Sequence, residues 1–136
     1  MRAKEIMTKD VITVSPSTRV REVALLLTKN NISGVPVRDR NGQIVGIVSQ
    51  SDIIGKKGKQ VKDIMSKSIV SVSEDTQVEE IAALMIANRI DRVLVMDNAE
   101  LLGIVSQADI VGAIAAGKHV AVHSPVTPSS TSAGET

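Results

Sequence analysis

The sequence predicts an α/β (α+β) protein made of two tandem β-α-β-β-α units, and three observations support this fold class. First, an internal repeat covers almost all of the first 116 residues. Second, each copy alternates short β-branched runs with segments whose apolar residues follow a helical period. Third, the 136 residues are 43% hydrophobic and 23% charged, which is ordinary for a globular chain that can bury its own core.

The repeat is defined by segments that match in the same order. Lys4–Thr8 matches Lys62–Ser66 at an offset of 58 residues. Gly46–Ile53 matches Gly103–Ile110 at an offset of 57 residues, so the second copy has lost one residue in a turn. Chance does not produce so many ordered matches, and the two copies are therefore expected to share one fold.

Each copy begins with a short strand and a helix. The β-branched run Val11–Val14 predicts the strand, and Ser15–Thr18 ends it and starts the helix. In the second copy, the segment from Thr76 to Glu79 fits a capping box. The apolar helical face consists of Val20, Val23, Ala24 and Leu27 in the first copy and of Val78, Ile81, Ala82 and Met85 in the second.

Two further strands and a second helix complete each copy. Val35–Arg38 and Ile44–Val48 flank a turn that ends in Asn41-Gly42, which predicts a hairpin because both residue types tolerate positive φ. A helix is expected to start at Ser49. The equivalent segments of the second copy are Val93–Met96, Leu101–Val105 and a helix from Ser106.

The predicted domains are residues 1–58, residues 59–117 and a tail of residues 118–136. The first includes the N-terminal segment and the start of the linker. Gly55–Gln60 contains three Lys and two Gly, which favours a solvated linker. A phosphate-binding loop is the weaker alternative, because no strand precedes it and no Gly-Lys-Ser/Thr pattern is present. The Ser/Thr/Pro-rich tail has no apolar period and is expected to be flexible.

Composition excludes several classes of function. The absence of Cys excludes disulfides and thiolate metal sites. The net charge of +1 provides no basic face for duplex nucleic acid, and with no Phe, Trp or Tyr there is no platform for stacked single-stranded bases. No apolar run approaches the roughly 20 residues of a membrane helix, and no signal segment follows Met1. We therefore expect a cytoplasmic protein without nucleic-acid or membrane partners.

Catalytic and metal-binding patterns are weak. His119 and His123 are four residues apart, a spacing that could share a metal on a helix, but the residues between them resemble a strand or tail and no third ligand is near. No Ser-His-Asp arrangement and no activated nucleophile can be identified. The sequence therefore predicts no metal site, no required cofactor and no enzymatic activity.

The repeat resembles a pair of cystathionine-β-synthase (CBS) domains, also called a Bateman module, over about residues 1–116. The resemblance is carried by Ile6–Thr8, by Ser33–Val37 and by the pattern Gly-aliphatic-aliphatic-Ser-x-x-Asp at Gly46–Asp52, nearly all of which recurs. It implies two units packed about a pseudo-twofold axis, with two clefts between them. It also implies a stand-alone homodimeric module that senses AMP, ADP, ATP or a related adenosyl ligand such as S-adenosylmethionine and regulates an attached domain or an unknown partner protein.

Two interpretations of Ser-x-x-Asp remain open. Ser49 at a helix start caps the backbone, and Asp52 in the first turn opposes the positive end of the helix dipole. Alternatively, the Asp52 carboxylate, which only accepts hydrogen bonds, binds the two hydroxyl groups of a ribose. The same alternatives apply to Ser106 and Asp109.

The resemblance assigns further residues to the two clefts. Ser49 and Asp52 would face the strand that begins at Asp91, and Ser106 and Asp109 would face Ser33–Pro36. Residues of each first strand would offer backbone groups to the adenine edge. The full predicted ligand-binding set is Ile12, Thr13, Gly34, Val35, Pro36, Ser49, Asp52, Val70, Ser71, Arg92, Val93, Leu94, Ser106 and Asp109.

The predicted clefts are unequal because Arg92 replaces Gly34 and Arg89 replaces Asn31. A guanidinium suits phosphate, so the cleft with Asp52 and Arg92 is the expected phosphate site. A solvated Arg92, or one paired with Asp91 or Asp97, is equally compatible. The alternative for the whole protein is a ligand-free dimerisation or scaffold module.

Overall fold

The two predicted hairpins form the centres of two units in the computed structural model, which describes residues 1–118 and residue 120. In the first unit Val35 lies opposite Val48, and in the second Val93 lies opposite Val105. The elements in chain order are α1 (Ala3–Ile6), α2 (Val20–Asn30), β1 (Gly34–Arg38), β2 (Ile44–Ser49), α3 (Gln50–Gly55), α4 (Val61–Ile64), β3 (Ser71–Val72), α5 (Val78–Asn88), β4 (Arg92–Asp97), β5 (Glu100–Ser106) and α6 (Gln107–Ala115).

The one-residue difference between the copies lies in the hairpin turn. Arg38 pairs with Ile44, whereas the equivalent Met96 pairs with Leu101, so the second connection is one residue shorter. Gly42 in the longer turn has a φ of +82°, which Gly adopts without strain. The mixed helix and strand content confirms the predicted fold class.

The predicted first strands are confirmed only in part, because the second copy has the short strand β3 and the first copy keeps a single bridge. Of residues 11–14 only Val14 pairs, in a single parallel bridge to Val37. In the second copy only Ser71–Val72 pairs, parallel to β4. The reason is that these segments cross from one unit to the other: the Thr8 amide donates to the Ile104 carbonyl at 2.9 Å, so the chain leaves the second sheet just before it reaches the first.

The start of each copy packs in the hydrophobic core of the other copy. Ala3 of α1 is fully buried in the core formed by α5, β4 and β5. Val61 and Ile64 of α4 are buried against α2, β1 and β2. The predicted boundary near residue 58 thus follows the sequence repeat, whereas the two cores exchange their first helices. This exchange ties the units together through apolar burial.

The same repeat position is glycine in both copies, at Gly46 and Gly103, and close packing explains why. A Cβ at Gly103 would lie 2.7 Å from Met7 Sδ and 2.8 Å from the Thr8 carbonyl oxygen. At Gly46 the corresponding distances to Met65 Sδ and the Ser66 carbonyl oxygen are both 2.8 Å. Glycine at these positions therefore lets the crossing segments lie directly on the hairpins.

The predicted helical faces are confirmed, but the predicted capping box is wrong. Val78, Ile81, Ala82 and Met85 are all buried; Val23 and Leu27 are buried, and Val20 and Ala24 are half-buried. Helix α5 begins at Val78 with Gln77 as its N-cap. Thr76 instead holds the preceding turn, because its Oγ1 accepts from the Ser73 amide at 3.0 Å while its own amide donates to the Ser73 carbonyl at 3.1 Å.

The structure describes the whole linker but only two residues of the tail. Lys56 and Lys57 are exposed, and Lys59 contributes its carbonyl to the Val20 amide at 2.9 Å, so the linker is solvated but anchored. The predicted flexible tail, including His119 and His123, lies outside the described residues apart from Lys118 and Val120.

Candidate functional site

Two clefts lie between the units, and we name each after its capping carboxylate. The Asp52 cleft has a volume of about 500 Å³. The Asp109 cleft has a volume of about 580 Å³. Their walls use equivalent positions of the repeat: Ile47, Ser49, Asp52 and Val70 line the first, where Ile104, Ser106, Asp109 and Ile12 line the second.

The capping interpretation of Ser-x-x-Asp is confirmed in both copies. Asp52 Oδ2 accepts from the Ser49 amide at 2.9 Å, and Ser49 Oγ accepts from the Asp52 amide at 3.4 Å. The corresponding distances between Ser106 and Asp109 are 2.8 Å and 3.2 Å. These bonds occupy only one oxygen of each carboxylate, so a cap at this position retains a second acceptor atom.

The second oxygen distinguishes the two clefts. Asp52 Oδ1 lies 2.9 Å from Lys56 Nζ, and the Asp52 side chain is only 10% exposed. Lys56 also donates to the Ile64 carbonyl at 3.1 Å, which fixes it over the carboxylate. The repeat has Ala113 in place of Lys56, and Asp109 forms no ion pair with any residue that the structure describes. Asp109 is therefore the carboxylate with an acceptor oxygen available.

Arg92 lines both clefts. Its Nη2 donates to Ser33 Oγ at 2.6 Å, and its Nη1 lies 3.1 Å from Asp91 Oδ1, with only 9% of the side chain exposed. Of the alternatives left open by the sequence, the pair with Asp91 is the one that forms. The guanidinium occupies the space beside Gly34, where a Cβ would lie 2.9 Å from Arg92 Cζ. Gly34 and Arg92 are different residues at the same repeat position, and in the fold they lie side by side because the absence of a side chain at Gly34 leaves room for the guanidinium.

The predicted ligand-binding residues divide into three groups. Ser49, Asp52, Val70 and Arg92 line the Asp52 cleft. Ile12, Gly34, Val35, Arg92, Ser106 and Asp109 line the Asp109 cleft. The other predicted residues, Thr13, Pro36, Ser71, Val93 and Leu94, line neither cleft. Val93 and Leu94 are fully buried because β4 is the central strand of its sheet, and Pro36 is buried within β1.

Several cleft residues were missed by the sequence reasoning. Thr8 and Asp10 line the Asp109 cleft, and the equivalent Ser66 and Ser68 line the Asp52 cleft. They precede the predicted first strands, and only the crossing of these segments between units brings them to the clefts. The repeat was the one signal in the sequence that could have paired these residues, because side chains at the same repeat position lie at the same place in the two clefts.

Within residues 1–118 and 120, no group of three His, Asp or Glu side chains could hold a metal ion. In the same part of the chain, none of the helices has the length and apolar character needed to span a membrane.

The fold and the clefts define a tandem-repeat module in which two units exchange their first helices and enclose two related cavities. The family model of the CBS domain matches residues 3–58 and 61–116. The chain therefore belongs to the CBS-domain family and contains two CBS domains in tandem. CBS domain pairs are regulatory modules rather than catalytic ones.

One similar protein is an enzyme that is much longer than this chain. Inosine-5'-monophosphate dehydrogenase of Methanocaldococcus jannaschii is 42% identical over 113 residues, covering 81% of this chain but only 23% of the enzyme. The chain thus spans about a quarter of that relative's length.

Two solved structures are similar over nearly their whole length. The CBS domain pair of protein MJ0100, in complex with 5'-methylthioadenosine and S-adenosyl-L-methionine, has a TM-score of 0.81 and 30% identity, covering 87% of this chain and 98% of that chain. CBSX2 in complex with AMP has a TM-score of 0.79 and 29% identity with the same coverage.

Proposed function

We propose that the protein is a regulatory module whose clefts bind adenosine-containing ligands, with AMP, ADP, ATP and S-adenosylmethionine as the candidates. The observation that carries the proposal is the pair of clefts, each with a capped carboxylate and with a wall built by residues of both copies. The adenosyl ligands of the MJ0100 domain pair and of CBSX2 support the ligand class, because the similarity covers 98% of each of those two solved chains.

The Asp109 cleft has the groups that an adenosine needs. With no aromatic residue in the chain, the purine would lie between aliphatic side chains such as Ile12 and Ile104. Val11 and Ile12 line this cleft and pair with no strand, so their backbone groups can bond to the adenine edge. The acceptor oxygen of Asp109 suits the two ribose hydroxyl groups, and Ser106 lies beside it.

Regulation would follow from the composite walls of the clefts. Each cleft contains residues of both copies, so a bound ligand would stabilise the packing of one unit against the other. A ligand shifts an equilibrium only by its differential affinity for the two states, and bridging contacts provide that difference. The target would be an attached domain or a separate effector protein within the cell.

A binding experiment tests this proposal. Because the chain has no Trp, Tyr or Phe, absorbance at 260 nm in the purified protein would report carried-over nucleotide directly. Titration calorimetry with AMP, ATP and S-adenosylmethionine should give saturable binding that Asp109→Asn weakens. Asp97→Asn, at an exposed carboxylate outside both clefts, is the matched control. If none of the three ligands bound at millimolar concentration, the ligand-free scaffold would be the better account.

We also propose that a second copy of the chain covers the apolar surface of the helices. Ile54 is 85% exposed and Val111 is 63% exposed, and they occupy equivalent positions of the repeat on α3 and α6. Leu25 on α2 is 62% exposed. A surface with repeated apolar positions suits the self-complementary interface of a twofold dimer. Light scattering should show a dimer that Ile54→Lys with Val111→Lys converts to a monomer; a monomeric native protein would refute the dimer.

A further inference from the structure

We infer that the two clefts select adenosine ligands of different charge. The Asp52 cleft takes a ligand with a 5′ phosphate, whereas the Asp109 cleft takes one whose 5′ substituent is uncharged or cationic. This inference rests on the proposed function and adds the selectivity of each cleft to it.

The Asp109 cleft carries excess negative charge. Asp10, Asp91, Asp109 and Arg92 are the charged residues in its wall. Arg92 is paired with Asp91 at 3.1 Å, so these two charges offset each other. Asp10 and Asp109 form no ion pair within residues 1–118 and 120, which leaves two uncompensated carboxylates facing the cavity. A phosphate dianion would be repelled here, and a cation would be attracted.

In the Asp52 cleft the carboxylates are compensated. Asp52 is paired with Lys56 at 2.9 Å and Asp91 with Arg92 at 3.1 Å. Arg89, on the same wall, forms no ion pair with any described residue. A guanidinium without a carboxylate partner is a natural phosphate ligand.

Differences at three pairs of equivalent repeat positions change the hydrogen-bond donors or the charge of the clefts in one direction. Ser51, Ser68 and Arg89 line the Asp52 cleft, and Ala108, Asp10 and Asn31 line the Asp109 cleft at the same positions. Each change removes a hydrogen-bond donor or a positive charge from the Asp109 cleft, or adds a negative one to it. Asp91 and Arg92, where the first copy has Ser33 and Gly34, do not distinguish the clefts because both residues line each of them.

Reciprocal charge variants test the inference. Asp10→Asn removes one carboxylate from the Asp109 cleft, and Asn tolerates the positive φ of +53° at this position. Ser68→Asp adds a carboxylate at the equivalent exposed position of the Asp52 cleft. Asp97→Asn and Ser17→Asp change the same charges outside both clefts. Calorimetry with AMP and with S-adenosylmethionine at low salt then reports affinity and stoichiometry.

The expected result is that AMP and S-adenosylmethionine bind the native protein together, each at its own cleft. Ser68→Asp should weaken AMP binding about tenfold, and Asp10→Asn should weaken S-adenosylmethionine binding by a similar factor, which is within the range of Coulomb interactions between nearby charges at a protein surface. Both effects should shrink in 0.5 M salt, where screening acts over roughly 4 Å. The control variants should bind both ligands like the native protein.

Two results would overturn the inference while leaving the proposed function intact. One is competition of AMP and S-adenosylmethionine for a single cleft. The other is AMP and S-adenosylmethionine affinities in both cleft variants that stay within twofold of the native values. No saturable binding of either ligand to the native protein would overturn the proposed function, and this inference with it.

Discussion

Replacement of Gly34 by Ala tests the fit between Gly34 and Arg92. The added Cβ would lie 2.9 Å from Arg92 Cζ and Nη1 and 3.0 Å from the Val48 carbonyl oxygen. The guanidinium must therefore move, and it would lose the 2.6 Å hydrogen bond to Ser33 and the 3.1 Å pair with Asp91. Val48 belongs to the paired strand β2 and cannot move as easily.

The expected cost follows from these contacts. A hydrogen bond from a charged donor contributes about 1.5–3 kcal/mol to stability. The pair with Asp91 adds little, because the Asp91 side chain is 55% exposed and solvent screens it. Ala restricts the unfolded chain relative to Gly and returns about 0.4–1 kcal/mol. We expect Gly34→Ala to lower the free energy of unfolding by about 1–2 kcal/mol.

A double-mutant cycle with Arg92→Ala separates the cost of displacing the guanidinium from the other effects of the added Cβ on the free energy of unfolding. Urea unfolding followed by far-ultraviolet circular dichroism is suitable, because the chain has no aromatic residue to give a fluorescence signal. When Arg92 is already Ala, Gly34→Ala should cost about 1.5–3 kcal/mol less than in the native protein, because the hydrogen bond to Ser33 is already absent. Additive costs within about 0.3 kcal/mol would refute the proposed fit.

Three further variants test the crossing segments and the asymmetry of the clefts. Gly103→Ala should cost more than about 2 kcal/mol in urea unfolding, because its Cβ meets the Thr8 carbonyl at 2.8 Å; a neutral change would contradict the close approach. Ile64→Ala should cost about 2–5 kcal/mol and reduce hydrogen-exchange protection in β1 and β2 first; prior loss in β4 and β5 would refute the exchanged helix. Lys56→Met should destabilise the fold by about 1 kcal/mol and weaken AMP binding; unchanged stability would mean that the pair with Asp52 contributes nothing.

Periodicity and turn chemistry were sufficient to predict the hairpins, the buried faces of α2 and α5, and the capping pairs at Ser49 and Ser106. These features depend on residues close in sequence. The lengths of the first strands could not be predicted, because a β-branched run such as Val11–Val14 looks like a strand whether or not a partner strand lies beside it. Only the crossing at Thr8 removes that partner.

The predicted site was only partly complete, because some of its residues are brought together by contacts between segments far apart in the sequence. The helix-starting residues Asp52 and Asp109 could be found from a local pattern, but Asp10 and Ser68 reach the clefts only through the exchange of α1 and α4. The partner of Arg92 was open among solvent, Asp91 and Asp97, since long side chains reach several neighbours from one backbone position. A contact 59 residues away in the sequence, with Ser33, fixes its direction.

The exchange of first helices also bears on how a ligand could act. Val61 and Ile64 in one core and Ala3 in the other are buried by side chains of the protein itself, so the fold holds the two units together. A ligand therefore need not supply the free energy that brings the cleft walls together, and binding avoids that part of the entropic cost. The proposed ligand would add to the packing that the fold already provides, through side chains at the seam between the units. Arg92, which contacts both clefts and bonds to Ser33 across it, is the group best placed to respond.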